Sequence, residues 1–187
     1  MFLFAGLLNV LKQSRQLKES NIKKDNFKTF ILLSVGSNLG DRKANIQAAF
    51  ELLQYSGIIS EVKMSSFYET EPWGIKDQPW FINVAITGYT SLSLNYLIQL
   101  CKSIEYILGR KVRKKWQARE IDIDIIFYGD ELFDGDKLVV PHSEMHKRKF
   151  VLQPASELAG TMIHPKFGKS IFELLVDCED NSIVRIA

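Results

Sequence analysis

The segment Ala118–Asp130, AREIDIDIIFYGD, alternates in a way that only an extended strand can use. Residues two apart on a strand point to the same face. Ile121, Ile123, Ile125 and Phe127 therefore form one apolar face, and Glu120, Asp122 and Asp124 form the other. A strand of this kind packs on one side and leaves the other open, which is the habit of antiparallel sheets. Directly upstream, the stretch Arg110–Arg119 holds six basic residues and no acid. A cationic loop thus leads into a strand whose open face carries three carboxylates.

The rest of the chain supplies partners for that strand. TFILLSVGSN reads as a buried strand ending at Gly36, and Asp41 is placed to cap a helix over ANIQAAFELLQ. EVKMSSFYE alternates as a strand, TEPWGIKDQP is a turn-rich loop, and WFINVAITGY is another strand. Ser91 or Ser93 opens a helix, LNYLIQLCKSIEYILG, that closes on Gly109. The order β-α-β-loop-β-α-loop-β predicts an α/β (α+β) protein with a ferredoxin-like antiparallel sheet core and flanking helices, both early helices lying on one face. A doubly wound parallel sheet is disfavoured, because a long loop without a helix joins two consecutive strands. Beyond Gly129, LVVPHSEMHKRKFVLQPASELAG reads as a turn and short helices, SIFELLV as a helix and SIVRI as a small terminal strand.

With 187 residues, one compact domain is expected. A net charge of +2 is too near balance for general nucleic-acid binding, and 46% hydrophobic residues suit an ordinary globular protein. Cys101 and Cys178 lie in no metal or redox motif and fit a reducing, cytoplasmic setting. The apolar start MFLFAGLLNVL is too short to cross a membrane, which takes about 20 residues. Residues 1–18, with three basic residues and no acid, share the composition of an organellar presequence.

Asp122 and Asp124 lie roughly 6.5–7 Å apart along one strand face. They can converge on a hard cation such as Mg²⁺, or a pair of such ions, or they can be solvated polar residues of an open face. Arg110, Arg113, Lys114, Lys115 and Arg119 can neutralise phosphate oxygens, which favours the first reading. Metal-binding acids beside phosphate-binding bases are the equipment of phosphoryl transfer. Trp116 within the loop could alternatively stack a base, but the aromatic residues follow no nucleic-acid-binding pattern. GSNLG lacks the Gly-Lys-Ser/Thr ending of a nucleotide-binding P-loop. His142 and His146 are four apart without the glutamate of a zinc protease, so a phosphate or surface role is expected. Phe81 and Phe150 read by default as core.

Six segments, LSVGSNLGDR, SSFYETEPWG, DQPWFINVA, IEYILGR, REIDIDIIFYG and VVPHSEMHKRKFVLQP, together resemble the 6-hydroxymethyl-7,8-dihydropterin pyrophosphokinases of folate biosynthesis. They run from about Ile31 to Pro165 in that family's order and spacing. The resemblance implies a ferredoxin-like fold and transfer of the β,γ-diphosphate of ATP, as co-substrate, to the pterin hydroxymethyl group with release of AMP. It implies that Asp122 and Asp124 hold two Mg²⁺ ions, that Phe81 and Phe150 sandwich the pterin and that Asn83 hydrogen-bonds it. It implies that the segment Thr70 to Trp73 reads the pterin edge. Glu105 and Arg110 match polar residues of the helix end and loop, while Arg113, Trp116 and Arg119 match loop residues that close over the substrates. His142 and Arg148 match contacts to ATP, and Ile125 matches a residue near the adenine. A monomer without nucleic-acid or membrane partners is expected, with residues 29–187 as one catalytic domain and residues 1–28 as an extension lacking a family counterpart. The chain departs from the family pattern at Gln117 and Ala118, where Gly-Pro is usual, and at Glu120, where Thr is usual. The loop, rich in long charged side chains, is expected to be mobile until ligands bind.

Overall fold

The computed structural model describes residues 28–114, 116–135 and 138–187; Lys115 and the presequence-like stretch 1–18 lie outside them. Strand β1 (Thr29–Ser37) runs into helix α1 (Arg42–Tyr55). The Asp41 carboxylate accepts the Ala44 amide proton at 3.0 Å, the expected cap. Strands β2 (Ile59–Met64), β3 (Tyr68–Thr70) and β4 (Phe81–Thr90) follow, then helix α2 (Leu94–Ile107) and strand β5 (Asp122–Tyr128). Gly109 ends α2 with φ +83°, a conformation that costs a residue without Cβ little. The sheet order is β5-β1-β4-β3, with β2 also on β4 and the terminal strand β8 (Val184–Ile186) outside β3. Every pairing is antiparallel, so the ferredoxin-like expectation holds.

Three local features differ from the sequence reading. EVKMSSFYE is two strands, because Ser65 interrupts the ladder: its hydroxyl accepts the Ala85 amide proton at 2.9 Å, while its own amide donates to the Ala85 carbonyl. Phe127 does not share the face of Ile121, Ile123 and Ile125. Leu33 pairs with Ile125 and Leu32 with Phe127, so Ile126 is an extra residue that reverses the alternation. LVV is no turn: strands β6 (Phe133–Gly135) and β7 (Leu138–Val140) form a hairpin.

The two faces of the sheet bury different helices. Ile31, Leu33, Val35, Val84, Ile86, Ile123 and Ile125 meet α1 and α2 in the larger core. On the opposite face Leu32, Ala85, Ile126 and Phe127 meet α3 (Lys149–Ala159) and α4 (Ile171–Val176). Glu157 of α3 ties these helices to the edge, accepting protons from the Tyr68 hydroxyl and the Ser66 amide. These helices cover only part of the second face. Beyond Leu32 and Ala85 the same face continues as Ser34, Gly36, Asn83 and Phe81, in register with Asp124 and Asp122 on β5.

His164 lies in the α3–α4 connection, 3% exposed, edge-on to Phe127 at 5.4 Å and tilted against Phe167 at 4.4 Å. Burial pushes its pKa down to about 4, helped by His146. The folded chain therefore holds His164 neutral, whereas the unfolded chain protonates it near pH 6.5. Its contribution is fully present above pH 6.5 and is lost as pH falls toward 4, about 3 kcal/mol over that window. Urea denaturation between pH 7 and pH 5 is expected to show this loss, and His164→Asn to flatten it. An unchanged slope in the variant would show that His164 does not carry the effect.

Candidate active site

A cavity of about 720 Å³ opens over the uncovered end of the second sheet face. Its floor is Ser34 and Gly36 on β1, Asn83 and Phe81 on β4, and Asp122 and Asp124 on β5. One wall is the loop from Arg110 to Arg119. The other is Thr70 at the end of β3 and Trp73 and Gln78 from the β3–β4 connection, with His142 and Arg148 ahead of α3 and Phe150 in its first turn. Residues 83, 36 and 122 stand side by side because the register sets Gly36 between Asn83 and Asp122.

The metal candidates differ in their surroundings. Both oxygens of Asp122 are taken, one by Arg110 and the other by Arg119. Asp124 makes no hydrogen bond or ion pair with a described residue, and burial, then the adjacent Asp122, raises its pKa to about 6. An under-coordinated carboxylate next to a second one is a hard-oxygen donor pair of the kind Mg²⁺ accepts, water and phosphate completing the shell. The described residues offer no cluster of three or more acidic, histidine or cysteine ligands, so such an ion would depend on its substrate for further ligands.

The loop has no regular structure, as expected, and it is anchored along its length. Arg113 makes a two-pronged ion pair with Glu120 at 2.6 and 2.7 Å, which holds the Glu120 pKa down to about 2. Buried Asn38 exchanges two hydrogen bonds with the Arg119 backbone, and its amide also reaches Gln78 and Pro79. Gln78 donates to the Trp116 carbonyl at 3.2 Å, and the Trp116 ring lies edge-on to Trp73. Asn38 and Gln78 thus join the two cavity walls. Sequence reasoning had no sign of this, because neither residue carries distinctive chemistry.

Arg148 lies over the Trp73 ring at 5.1 Å and within 5.9 Å of Phe150, and its buried Nε has no partner among the described residues. Burial lowers its pKa and, with Arg148 close by, that of His142 too. A partly buried guanidinium with a free donor is a site for an anion. His146 faces away from the cavity and packs on Phe167 at 4.6 Å, so the two histidines share no metal site.

Of the residues singled out from sequence, Thr70, Trp73, Phe81, Asn83, Arg110, Arg113, Trp116, Arg119, Asp122, Asp124, His142, Arg148 and Phe150 line the cavity. Two do not. Ile125 points to the α1–α2 side and is 4% exposed, because it keeps the phase of Ile121 and Ile123. Glu105 lies beneath the wall: its carboxylate accepts the Ile123 amide proton at 2.8 Å and pairs with Arg110 and Lys102. Lys102 lines the cavity and escaped the sequence reading, although its place one helical turn before Glu105 was a usable signal.

Asn83 donates to the Thr70 hydroxyl at 2.7 Å. This holds its oxygen against Gly36, where an added Cβ would overlap Asn83 Oδ1. Gly36→Ala is therefore expected to displace Asn83 and to cost about 1–3 kcal/mol of folding stability, the usual strain of an overpacked site. Thermal denaturation measures it; unchanged stability would mean that Asn83 is free to shift.

Fold and site define a class, a ferredoxin-like α/β enzyme of phosphoryl transfer with an acidic floor and a cationic lid. The comparisons give the particular family. The model of the 7,8-dihydro-6-hydroxymethylpterin-pyrophosphokinase family matches residues 32–160, and the chain belongs to that family. It is 37% identical over 154 residues to the 2-amino-4-hydroxy-6-hydroxymethyldihydropteridine pyrophosphokinase of Methylorubrum extorquens, covering 82% of this chain and 96% of that one. It is 39% identical to the protein of the same name from Bacillus subtilis, covering 67% and 75%. The mitochondrial folate synthesis bifunctional protein of Arabidopsis thaliana is 38% identical over 71% of this chain, which spans only 24% of that protein. Wild-type HPPK-DHPS of Plasmodium falciparum shares the fold with a TM-score of 0.63 at 14% identity, over 85% of this chain and 46% of that one. The chain transfers diphosphate from ATP to 6-hydroxymethyl-7,8-dihydropterin, a step of folate biosynthesis.

Proposed function

We propose that the cavity divides the two substrates between its walls and joins them over the aspartates. The pterin lies between Phe81 and Phe150, with its edge against Asn83 and the backbone from Thr70 to Trp73. The triphosphate lies under the loop, against Arg113, Arg119 and Arg148, with His142 alongside. Asp122 and Asp124 hold Mg²⁺, two ions when ATP is bound; bound there, Mg²⁺ supplies charge neutralisation for the transferred diphosphate. Asp122 would then release Arg110 and Arg119, which turn to phosphate oxygens. Trp116 closes the cavity and excludes water. Glu105 acts behind Arg110 and sets its position, a role different from a direct nucleotide contact.

The observation that carries this reading is the pairing of open valences on one face: among the described residues the Asp124 carboxylate has no donor and the buried Arg148 Nε no acceptor. The first fits a cation and the second an anion, and a metal–polyphosphate complex offers both. The cavity is built from one chain, which supports action as a monomer with residues 29–187 as the catalytic domain. No helix of the described residues is long and apolar enough to cross a membrane, and both cysteines are free thiols. The free thiols fit a reducing compartment such as the cytoplasm.

Calorimetry with each ligand separately tests the division. Phe81→Ala and Phe150→Ala are expected to weaken pterin binding by about 1–3 kcal/mol, the stacking plus burial of one ring, and to leave binding of a non-hydrolysable ATP analogue within twofold. Equal losses for both ligands would make these rings structural.

A further inference from the structure

Glu120 stands at the junction of the loop and β5, and its backbone is fixed. Its carbonyl accepts the Ser37 hydroxyl proton at 2.6 Å and the Asn45 amide at 3.0 Å. Its carboxylate faces the loop, where both oxygens are taken by Arg113 and one also receives the Lys111 amide at 3.4 Å. A rigid post therefore holds the midpoint of the loop through a bidentate pair, the strongest geometry for arginine and carboxylate. Arg113 also lines the cavity. The other two arginines of the loop, Arg110 and Arg119, pair with Asp122, whose oxygens a cation can take over. Glu120 has no such competitor, so Arg113 can reach a phosphate only if the phosphate itself displaces Glu120.

We propose that Glu120 is a latch on the loop, a positioning residue that holds Arg113 in the ligand-free enzyme and that nucleotide phosphate must displace before the loop can close. The latch rests on the phosphate role given to Arg113 above. It opposes nucleotide binding by the free energy of the pair and holds the empty loop in place. The cationic loop is thereby neutralised from within the site when no nucleotide is present, which also limits its capture of stray anions.

The test is a double-mutant cycle of Glu120→Gln and Arg113→Met with the Mg²⁺ complex of a non-hydrolysable ATP analogue, read by calorimetry. It is joined by hydrogen exchange over residues 110–119 in the ligand-free proteins. Glu120→Gln is expected to tighten nucleotide binding about three- to fivefold at low salt, the size of one exposed, well-formed ion pair, and less at high salt. In the Arg113→Met background the same substitution is expected to change affinity by less than about 1.5-fold, because the pair is already gone. Amide exchange in the ligand-free loop is expected to quicken in Glu120→Gln and in Arg113→Met alike. Unchanged or weaker affinity in Glu120→Gln overturns the latch. Equal tightening in both backgrounds also overturns it, since the effect would then be that of a nearby negative charge acting without Arg113. If neither Arg113→Met nor Glu120→Gln changes nucleotide affinity, the phosphate role of Arg113 fails and the effect on affinity fails with it. The exchange data then decide the contact separately, unchanged rates overturning it and faster rates upholding it.

Discussion

Asp124→Ala and Asp122→Ala are each expected to lower turnover by on the order of 10²–10⁴, the loss of several kcal/mol of transition-state stabilisation. The two should differ in what they do to the fold. Asp124 lies partly buried without a hydrogen-bond partner among the described residues, and burial and Asp122 together raise its pKa to about 6. Its charged form is therefore disfavoured where it stands, and removing it should leave thermal stability unchanged or raise it. Asp122 holds Arg110 and Arg119, so its removal leaves Arg119 without its ion-pair partner and Arg110 with Glu105 alone, and should cost some stability. Steady-state turnover paired with thermal denaturation separates these cases. Wild-type turnover in either variant would sink the metal assignment, and unfolding of Asp124→Ala would mean that the residue serves packing instead.

Glu105→Ala is expected to cost about 1–3 kcal/mol of folding stability, the penalty for leaving a buried backbone amide without its acceptor. Its side chain is only 3% exposed and has three partners: the Ile123 amide, Lys102 and Arg110. Two of them link α2 to β5 and to the root of the loop. Glu105→Gln keeps an acceptor for the Ile123 amide and should cost less than half as much. Urea denaturation of the three proteins gives the ordering directly. A cost under about 1 kcal/mol for Glu105→Ala would remove the brace and favour a direct contact with nucleotide.

Much of the fold was legible because local chemistry is read locally. The 2.0 period of IDIDI placed Asp122 and Asp124 on one face opposite Ile121 and Ile123, and the structure keeps that division. Asp41 announced the start of α1 because a short carboxylate satisfies a helix amide whatever the helix packs against. The strand–helix succession implied the antiparallel sheet, since consecutive strands without a crossover helix pair in that way. The cationic loop was visible as a run of charge.

What the sequence could not supply were relations between distant residues. The bulge at Ile126 follows from how β5 must bend against β1, and it moves Phe127 to the opposite core. Ser65 splits a strand only because Ala85 lies opposite it. Ile125 and Glu105 leave the cavity wall for the core and the underlying brace, because sheet register and helix phase, set by burial, decide which side chains face inward. Glu120 was legible as a departure in charge, yet its engagement with Arg113 needs the loop to fold back onto the start of β5. The sequence by itself determined which chemical groups the chain has and, within an unbroken strand or helix, which of them share a face. Only the tertiary structure decided which of those faces meet, because strand register and loop closure are set by long-range packing that no single segment encodes.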